Sequence, residues 1–470
     1  MKKFTKIVAT VSDKRCETEF IKALWEAGVN VVRMNSAHLS YDGFKQIVEN
    51  TRAASDAIGI MMDTKGPEVR TTAIADGEQV TYVKGQEVRI FGDPERLTTA
   101  DSIGLNYRGI SGVVKPGNRL LIDDGEVGFT VKSVDGETVI AVAENDGRLG
   151  SRKSVNLPGI SLDLTAVTER DKTNIGYAAE LGVDFIAHSF VRSADDVRAV
   201  QKILDEFGSP AKIISKIENQ EGIDNFDEIL AESYGIMVAR GDLGIEVPAE
   251  QIPGMQLMMI KKCIAAHKPV IVATQMLHSM IEHPRATRAE ISDVAGAVYQ
   301  RADAMMLSGE TAYGKYPVEA VRTMTSVAKE VEQALRSQMD VPPMLDSEIY
   351  SFLAREAVMS AEKIGTKAIF TDAYKGVSAR FIASFRGNNP TYAICHNRNV
   401  LHWLALSYGV SAYYYESVSG VQPIHSVEAV RKIVEDGFLN PTDRIAYLTG
   451  NSRGARALEI LTPAEIFEEE

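Results

Sequence analysis

Cysteine is scarce. Cys16, Cys263 and Cys395 are the only three in 470 residues, and none stands at zinc-ligand or redox-motif spacing from another. That excludes a disulfide framework and leaves buried or incidental thiols of a reducing compartment. Positive charge is also short: 51 Lys and Arg face 64 Asp and Glu, a formal net charge of −13. Such a balance argues against bulk binding to nucleic acid or an anionic membrane, although a local basic pocket can still take an anionic substrate. No apolar run approaches the ~18 residues of a membrane span. The opening MKKFTKIVATV meets SDKRC too soon to read as a signal peptide. A cytoplasmic protein with no membrane or nucleic-acid partner is expected. Missing too are a Walker A loop and a dinucleotide fingerprint, which ARGDLG at 239–244 does not match, so a nucleotide must be held in another way.

What the chain does have is an alternation of apolar strands and amphipathic helices. KIVATV at 6–11, VNVVRMN at 29–35 and AIGIMMD at 57–63 read as strands covered on both faces. Residues 18–27 read as a helix with Phe20, Ile21, Leu24 and Ala27 on one side, Thr18 as its cap and Gly28 as its end. From 66 to 163 the texture changes to short β-like runs broken by glycines and polar turns, among them Asp123-Asp124-Gly125. The rhythm resumes with a helix at 168–180 and the strand VDFIAHSF, then a helix with Ser193 and Asp196 as a capping box. The strands AKIISKIE, GIMVARGD, KPVIVATQ and DAMMLSGE follow, separated by helices. Three strands before the insertion and five after it imply a closed (β/α)8 TIM barrel. The expected fold is therefore α/β: a barrel from 1–65 and 164–345, an inserted small β-barrel lid domain at 66–163, and a C-terminal α/β regulatory domain at 346–470.

Polar residues gather where the barrel strands end, the face on which such barrels keep their chemistry. Arg33 and Asn35 share a face by the two-residue period of a strand, as do Lys216 and Glu218. Asp63-Thr64-Lys65-Gly66, Gly241-Asp242, Thr274, Ser308 and Glu310 complete the ring. Glu218 and Asp242 are hard oxygen ligands suited to Mg²⁺ with water and substrate. Arg33, Arg70 and Lys216 suit a phosphorylated, carboxylated substrate. Lys216 beside Glu218 reads either as a stabiliser of a transferring phosphoryl group or as a buried structural ion pair. His38 and His188 read as hydrogen-bonded structural histidines rather than as catalytic bases.

At this point the chain closely resembles the pyruvate kinase family. The resemblance rests on RMNSAH at 33–38, MMDTKGPEVRT at 61–71, SVNLPG at 154–159, ISKIENQEGIDNFDEI at 214–229, IMVARGDLGIE at 236–246, VATQML at 272–277, TRAEISDVA at 287–295 and DAMMLSGETAYGKYP at 303–317. It implies transfer of the phosphoryl group of phosphoenolpyruvate to ADP, giving pyruvate and ATP in the last step of glycolysis. It implies that Arg33, Lys216, Gly241, Asp242 and Thr274 meet the substrate, with Lys216 at the transferring phosphoryl group and Thr274 near the carbon that gains a proton. Glu218 and Asp242 then hold Mg²⁺ or Mn²⁺, and Arg70 and Lys153 contact the nucleotide. Asn35, Asp63 and Thr64 match the family's K⁺ ligands. The usual serine is Ala37, which has no side-chain oxygen, while Glu68 stands where K⁺-dependent members carry glutamate. A retained but altered K⁺ site is expected. In the C-terminal unit TDAYKGVSAR at 371–380 matches the family's phosphate-binding effector loop only in part, keeping Thr371 and Ser378 but carrying Tyr374 and Lys375, and Arg386-Gly387 replaces an Arg-Pro. The resemblance also implies an allosteric homotetramer. Two alternatives remain at this level: another barrel enzyme of phosphoenolpyruvate or pyruvate, such as a carbon–carbon lyase or phosphomutase, and a paralogue that binds without turnover.

Overall fold

The structure, a computed structural model, describes residues 3–37, 39–336, 341–344, 348–415, 426–451 and 454–468. His38 and the expected boundary at 345–346 lie outside them. Eight parallel strands close into a barrel: β1 (Lys6–Thr10), β2 (Val31–Asn35), β3 (Gly59–Asp63), β4 (Phe185–His188), β5 (Lys212–Ile217), β6 (Gly235–Ala239), β7 (Val270–Ala273) and β8 (Ala304–Leu307). Alternate residues divide between two cores. Val8, Val31, Met61, Phe185, Ala187, Ile214, Met237 and Ile271 fill the barrel, while Ile7, Val32, Ile60, Ile186, Ile213 and Ile236 face the helices. The inward parity, continued past the last apolar layer, carries Arg33, Asp63, Lys216 and Glu218 to the upper mouth.

The first helix is Thr18–Ala27 and buries Ile21, Leu24 and Ala27. Gly28 ends it at φ 128°, where an added Cβ would meet Thr325 Oγ1 at 2.4 Å. Two expected caps are corrected. Thr18 is the first helical residue and donates to Asn50 Oδ1, leaving Glu17 at the cap without a side-chain bond. Ser193 is the residue before the helix Ala194–Glu206 but makes no cap bond, and Asp196 instead accepts from the Arg192 backbone N–H at 2.8 Å. The helix Tyr41–Ala54 between β2 and β3, which the sequence reading passes over, buries Phe44, Ile47, Val48 and Thr51.

The insertion forms its own core around Tyr82, Ile90, Leu120, Phe129, Ala141 and Val155. Its six-stranded sheet runs Val155–Asn156, Arg119–Ile122, Val127–Asp135, Thr138–Ala143, Glu87–Phe91, Ser102–Gly104, with a separate ribbon of Val80–Tyr82 and Gly147–Leu149. Asp123, Asp124 and Gly125 make the tight turn expected of them, all at positive φ. The C-terminal sheet orders β9 (Ala368–Ala373), β10 (Thr391–Cys395), β11 (Val410–Tyr414), β12 (Ile445–Asn451) and β13 (Gly454–Leu461) as β11-β10-β9-β12-β13. Strand β13, antiparallel to β12, is absent from the sequence reading.

The C-terminal unit closes the barrel floor. Ala405 and Leu406 join the core inside the strands. Asp303, one residue before β8, accepts from both terminal nitrogens of Arg386 at 3.0 and 2.6 Å, from the Tyr408 N–H at 3.1 Å and from the Val270 N–H at 3.2 Å. Arg386 is 2% exposed, so this arginine, which follows the helix Val377–Ser384, is committed to the floor. Removing one charge of such a pair leaves the other buried and uncompensated. Asp303→Asn is therefore expected to destabilise the chain by about 3–5 kcal/mol, read as a lower urea midpoint. An unchanged midpoint would show that the clamp contributes nothing.

Candidate active site

The mouth is assembled by strand ends far apart in the chain. The Asp63 carboxylate, at the end of β3, is central. Its Oδ2 accepts from Arg33 Nε and Nη2 at 2.7 and 2.6 Å, and its Oδ1 accepts from Lys216 Nζ at 3.0 Å. Arg33 also donates to Thr10 Oγ1 at 3.1 Å. Lys216 Nζ lies 2.9 Å from Glu218 Oε1 and 2.8 Å from Ser189 Oγ. Glu218 Oε2 accepts from the Phe190 N–H at 2.6 Å. Burial alone would raise the Asp63 pKa, but Arg33 and Lys216 outweigh it and hold the carboxyl below its ordinary range. Burial pulls Lys216 down, and Asp63 and Glu218 overcome it, so the amine stays charged. Glu218 is pushed up to about 7, chiefly by burial, with Lys216 opposing. Asp242 is raised as well, again by burial. Two buried carboxylates short of positive charge are a donor set that a hard cation would complete. Among the described residues no cluster of three or more Asp, Glu, His or Cys could hold a metal alone, so water and substrate oxygens would have to supply the remaining ligands.

The other expected residues flank this cluster. Thr274 and Gln275 follow β7 at φ 69° and 55°, a left-handed geometry that strains a β-branched residue. Arg240 clasps this turn, donating to Thr274 O at 2.7 Å while Asp293 holds its Nη1 at 2.7 Å. The Gly241 N–H donates to Thr274 Oγ1 at 2.8 Å. Asn35 Oδ1 accepts from the Ala37 N–H at 3.1 Å, and Thr64 O accepts from Ser189 Oγ at 2.7 Å. Asn35, Asp63 and Thr64 line one 470 Å³ cavity with Arg33 and Lys216.

A neighbouring 600 Å³ cleft runs between barrel and insertion, with Arg70, Lys153 and Asp123 on one wall and Glu218, Asp242 and Glu246 on the other. Arg70 and Lys153 sit on paired arms of the insertion, the Thr71 N–H donating to Lys153 O at 2.8 Å. Arg70 is held by Glu68 at 2.9 Å, and Lys153 by Asp123 at 2.9 Å. Asp123 is thus more than a turn residue. Both arms are tied to the barrel. Asp171 accepts from the Lys65 and Gly66 N–H groups at 2.9 and 3.2 Å. Arg192 donates to Leu162 O and Leu164 O, each at 2.8 Å. Gly66, at φ 73°, leaves 2.7 Å between an imagined Cβ and the Phe190 ring, so no side chain fits there.

His188 does not match its expected hydrogen-bonded role. It is buried with neither ring nitrogen hydrogen-bonded among the described residues, and burial lowers its pKa to about 4. It points outward by the alternation that turns Phe185 and Ala187 inward. The same parity turns Ser189 inward, so counting two residues on from Ala187 would have found it. In the C-terminal loop Thr371 Oγ1 donates to Ser378 Oγ at 3.0 Å, Ser378 Oγ donates to Asp372 O at 3.1 Å, and Tyr374 stacks on His396 at 4.7 Å. Lys375 is exposed.

Comparison with known proteins places these features in context. Residues 2–321 match the family model for the pyruvate kinase barrel domain, and residues 352–461 that for the pyruvate kinase alpha/beta domain. A pyruvate kinase of Borreliella burgdorferi is 46% identical over 98% of this chain and 97% of its own length. One from Bacillus licheniformis is 40% identical over 95% of this chain and 77% of its own. The crystal structure of a pyruvate kinase from Cryptosporidium parvum superposes with a TM-score of 0.90 at 34% identity, covering 98% of this chain and 96% of that one.

Proposed function

The chain belongs to the pyruvate kinase family, and from that premise we propose how its residues divide the work. The enzyme transfers the phosphoryl group of phosphoenolpyruvate to ADP, giving pyruvate and ATP. The observation that carries the assignment of roles is the charge pattern at the mouth: Arg33 and Lys216 facing Asp63 and Glu218 at hydrogen-bond distance.

In this reading Arg33 and Lys216 bind the phosphate of phosphoenolpyruvate. ADP attacks phosphorus in line, the oxygen–phosphorus bond to the enol breaks, and Lys216 stabilises the charge on the transferring oxygens. Arg70 and Lys153 exchange their present partners, Glu68 and Asp123, for the phosphates of ADP. Glu218 and Asp242 would hold Mg²⁺ or Mn²⁺, which when bound neutralises charge on phosphoryl and enolate oxygens. The enolate then takes a proton at its methylene carbon through water reaching Thr274, whose hydroxyl the Gly241 N–H keeps oriented. A Cβ on Gly241 would meet nothing closer than 3.5 Å, so packing does not require glycine there. Close approach of substrate to its backbone does.

Asn35, Asp63 and Thr64 form the K⁺ site in this reading, with water standing in for the hydroxyl that Ala37 lacks. Glu68, paired with Arg70 and Lys65, supports K⁺ dependence by the family's pattern. Thr371, Lys375 and Ser378 form the effector loop. Lys375 is its exposed cation, and the two hydroxyls would have to exchange their mutual bond for a phosphate. We assign the protein to the cytoplasm as a homotetramer, with exposed Tyr299 and Tyr313 as barrel surface available to a neighbouring subunit.

The test is pyruvate formation from phosphoenolpyruvate and ADP with Mg²⁺, run with and without K⁺. Turnover that needs K⁺ is expected. Turnover indifferent to K⁺ would remove the monovalent site and keep the rest. No pyruvate from folded protein would favour a lyase or a binding-only paralogue.

A further inference from the structure

Lys216 has three N–H bonds: one is donated to Asp63 Oδ1 at 3.0 Å, one to Ser189 Oγ at 2.8 Å, and Glu218 Oε1 stands 2.9 Å away as an ion pair outside hydrogen-bond geometry. An ammonium only donates, so Ser189 must accept from it. The one hydroxyl proton of Ser189 is then left for Thr64 O at 2.7 Å or Asp63 Oδ1 at 3.1 Å. Its backbone is held as firmly, for the Ser189 N–H donates to Thr64 Oγ1 at 3.0 Å and the next N–H, of Phe190, to Glu218 Oε2 at 2.6 Å. Ser189 is 2% exposed, so solvent does not compete for these bonds.

We propose that Ser189 is a positioning residue for Lys216: with Asp63 it fixes two of the lysine's three N–H bonds so that the third is presented toward Glu218 and the mouth. The proposal rests on the role given to Lys216 above. The choice of a hydroxyl follows from charge. Asp63 is already shared with Arg33, and a second carboxylate at position 189 would cancel the ammonium before an anionic substrate arrived. A neutral oxygen aims the lysine and leaves its charge intact. Because Ser189 also bonds Thr64 O, it links the lysine to the oxygens assigned to the monovalent cation. The ion pair with Glu218 is the contact a divalent cation would compete for, which leaves Asp63 and Ser189 as the fixed pair.

The test compares wild type with Ser189→Ala and Ser189→Cys, the latter keeping volume while offering only a weak acceptor. Misplacement of a reacting group by about 1 Å reduces turnover on the order of 100-fold. Both variants are therefore expected to lose about 10–100-fold in kcat, with KM for phosphoenolpyruvate changing less than about threefold and the thermal midpoint near wild type. Solvent-proton exchange at the methyl carbon of pyruvate, followed by NMR, is expected to fall in parallel, because an ammonium placed at the transferring phosphoryl group also faces the enolate oxygen from which phosphorus departs. A kcat within twofold of wild type in either folded variant would overturn the proposal. So would a kcat loss that merely tracks a lowered thermal midpoint, or a loss confined to KM. Wild-type protein that forms no pyruvate would instead overturn the reading of the site itself.

Discussion

Lys216→Met is expected to reduce kcat by about 10³–10⁵-fold, the scale seen when a cation that stabilises a transferring phosphoryl group is lost. Methionine keeps most of the length and volume of the side chain, being one atom shorter, and removes the charge and its three donors. Arg33 then remains as the one cation of the inner cluster, against Asp63, Glu218 and Asp242. Glu218, already raised by burial, loses the positive charge that opposed the shift and takes up a proton. That neutralisation limits the loss of stability below the ~3–5 kcal/mol of an uncompensated buried charge. The variant should therefore remain folded and bind phosphoenolpyruvate through Arg33 while failing to turn it over. Steady-state kinetics and a thermal melt decide the matter. A kcat within tenfold of wild type would remove Lys216 from the phosphoryl-transfer step and reduce it to a structural ion pair.

Glu218→Gln is expected to have the next largest effect, and on a different quantity. The amide oxygen can still accept from the Phe190 N–H, so the segment that carries Ser189 stays in place. What disappears is one of the two carboxylates facing the divalent-cation position. Loss of an outer partner of a metal site weakens affinity by about 10–100-fold, and loss of a direct ligand by at least the upper end of that range. Mn²⁺ titrated into the protein without substrate should bind at least about 100-fold more weakly, and the Mg²⁺ needed for half-maximal activity should rise by a similar factor. Unchanged Mn²⁺ affinity would move the metal away from Glu218 and leave that side chain as a partner of Lys216 alone. The two substitutions differ in signature. The first removes turnover at every metal concentration, whereas the second makes turnover conditional on metal concentration.

Both ideas could be framed from the chain before its fold was seen, because they depend on local order. The period of two within VVRMN, GIMMD and KIISKI determines which side chains face inward. The end of the apolar run determines where the polar ones begin. The motif strings around Arg33, Asp63, Lys216, Asp242 and Thr274 name the family. Turn residues act locally as well, which is why Gly28 and Asp123-Asp124-Gly125 fall where the pattern places them. Caps proved less legible. Thr18 and Ser193 have the right side chains, but Asn50 draws off the hydroxyl of Thr18, and Asp196 turns to Arg192 instead of to Ser193.

Relations between distant residues belong to the packed molecule. Lys216 reaches Asp63 across 153 positions of sequence, and only closure of the barrel brings their strands to one mouth. Ser189 sits in an ordinary stretch, AHSF, and gains its place because β4 lies between β3 and β5. The environment of Glu218 is likewise collective, since burial that raises a carboxylate is a property of everything packed around it. Asp303 and Arg386, 83 residues apart, form a clamp because the C-terminal unit folds back onto the barrel floor. Sequence therefore sets identity, parity and the chemical inventory of the mouth through interactions a few residues long. The pairing of those charges, their burial and their aim arise from contacts that exist only once the strands have closed.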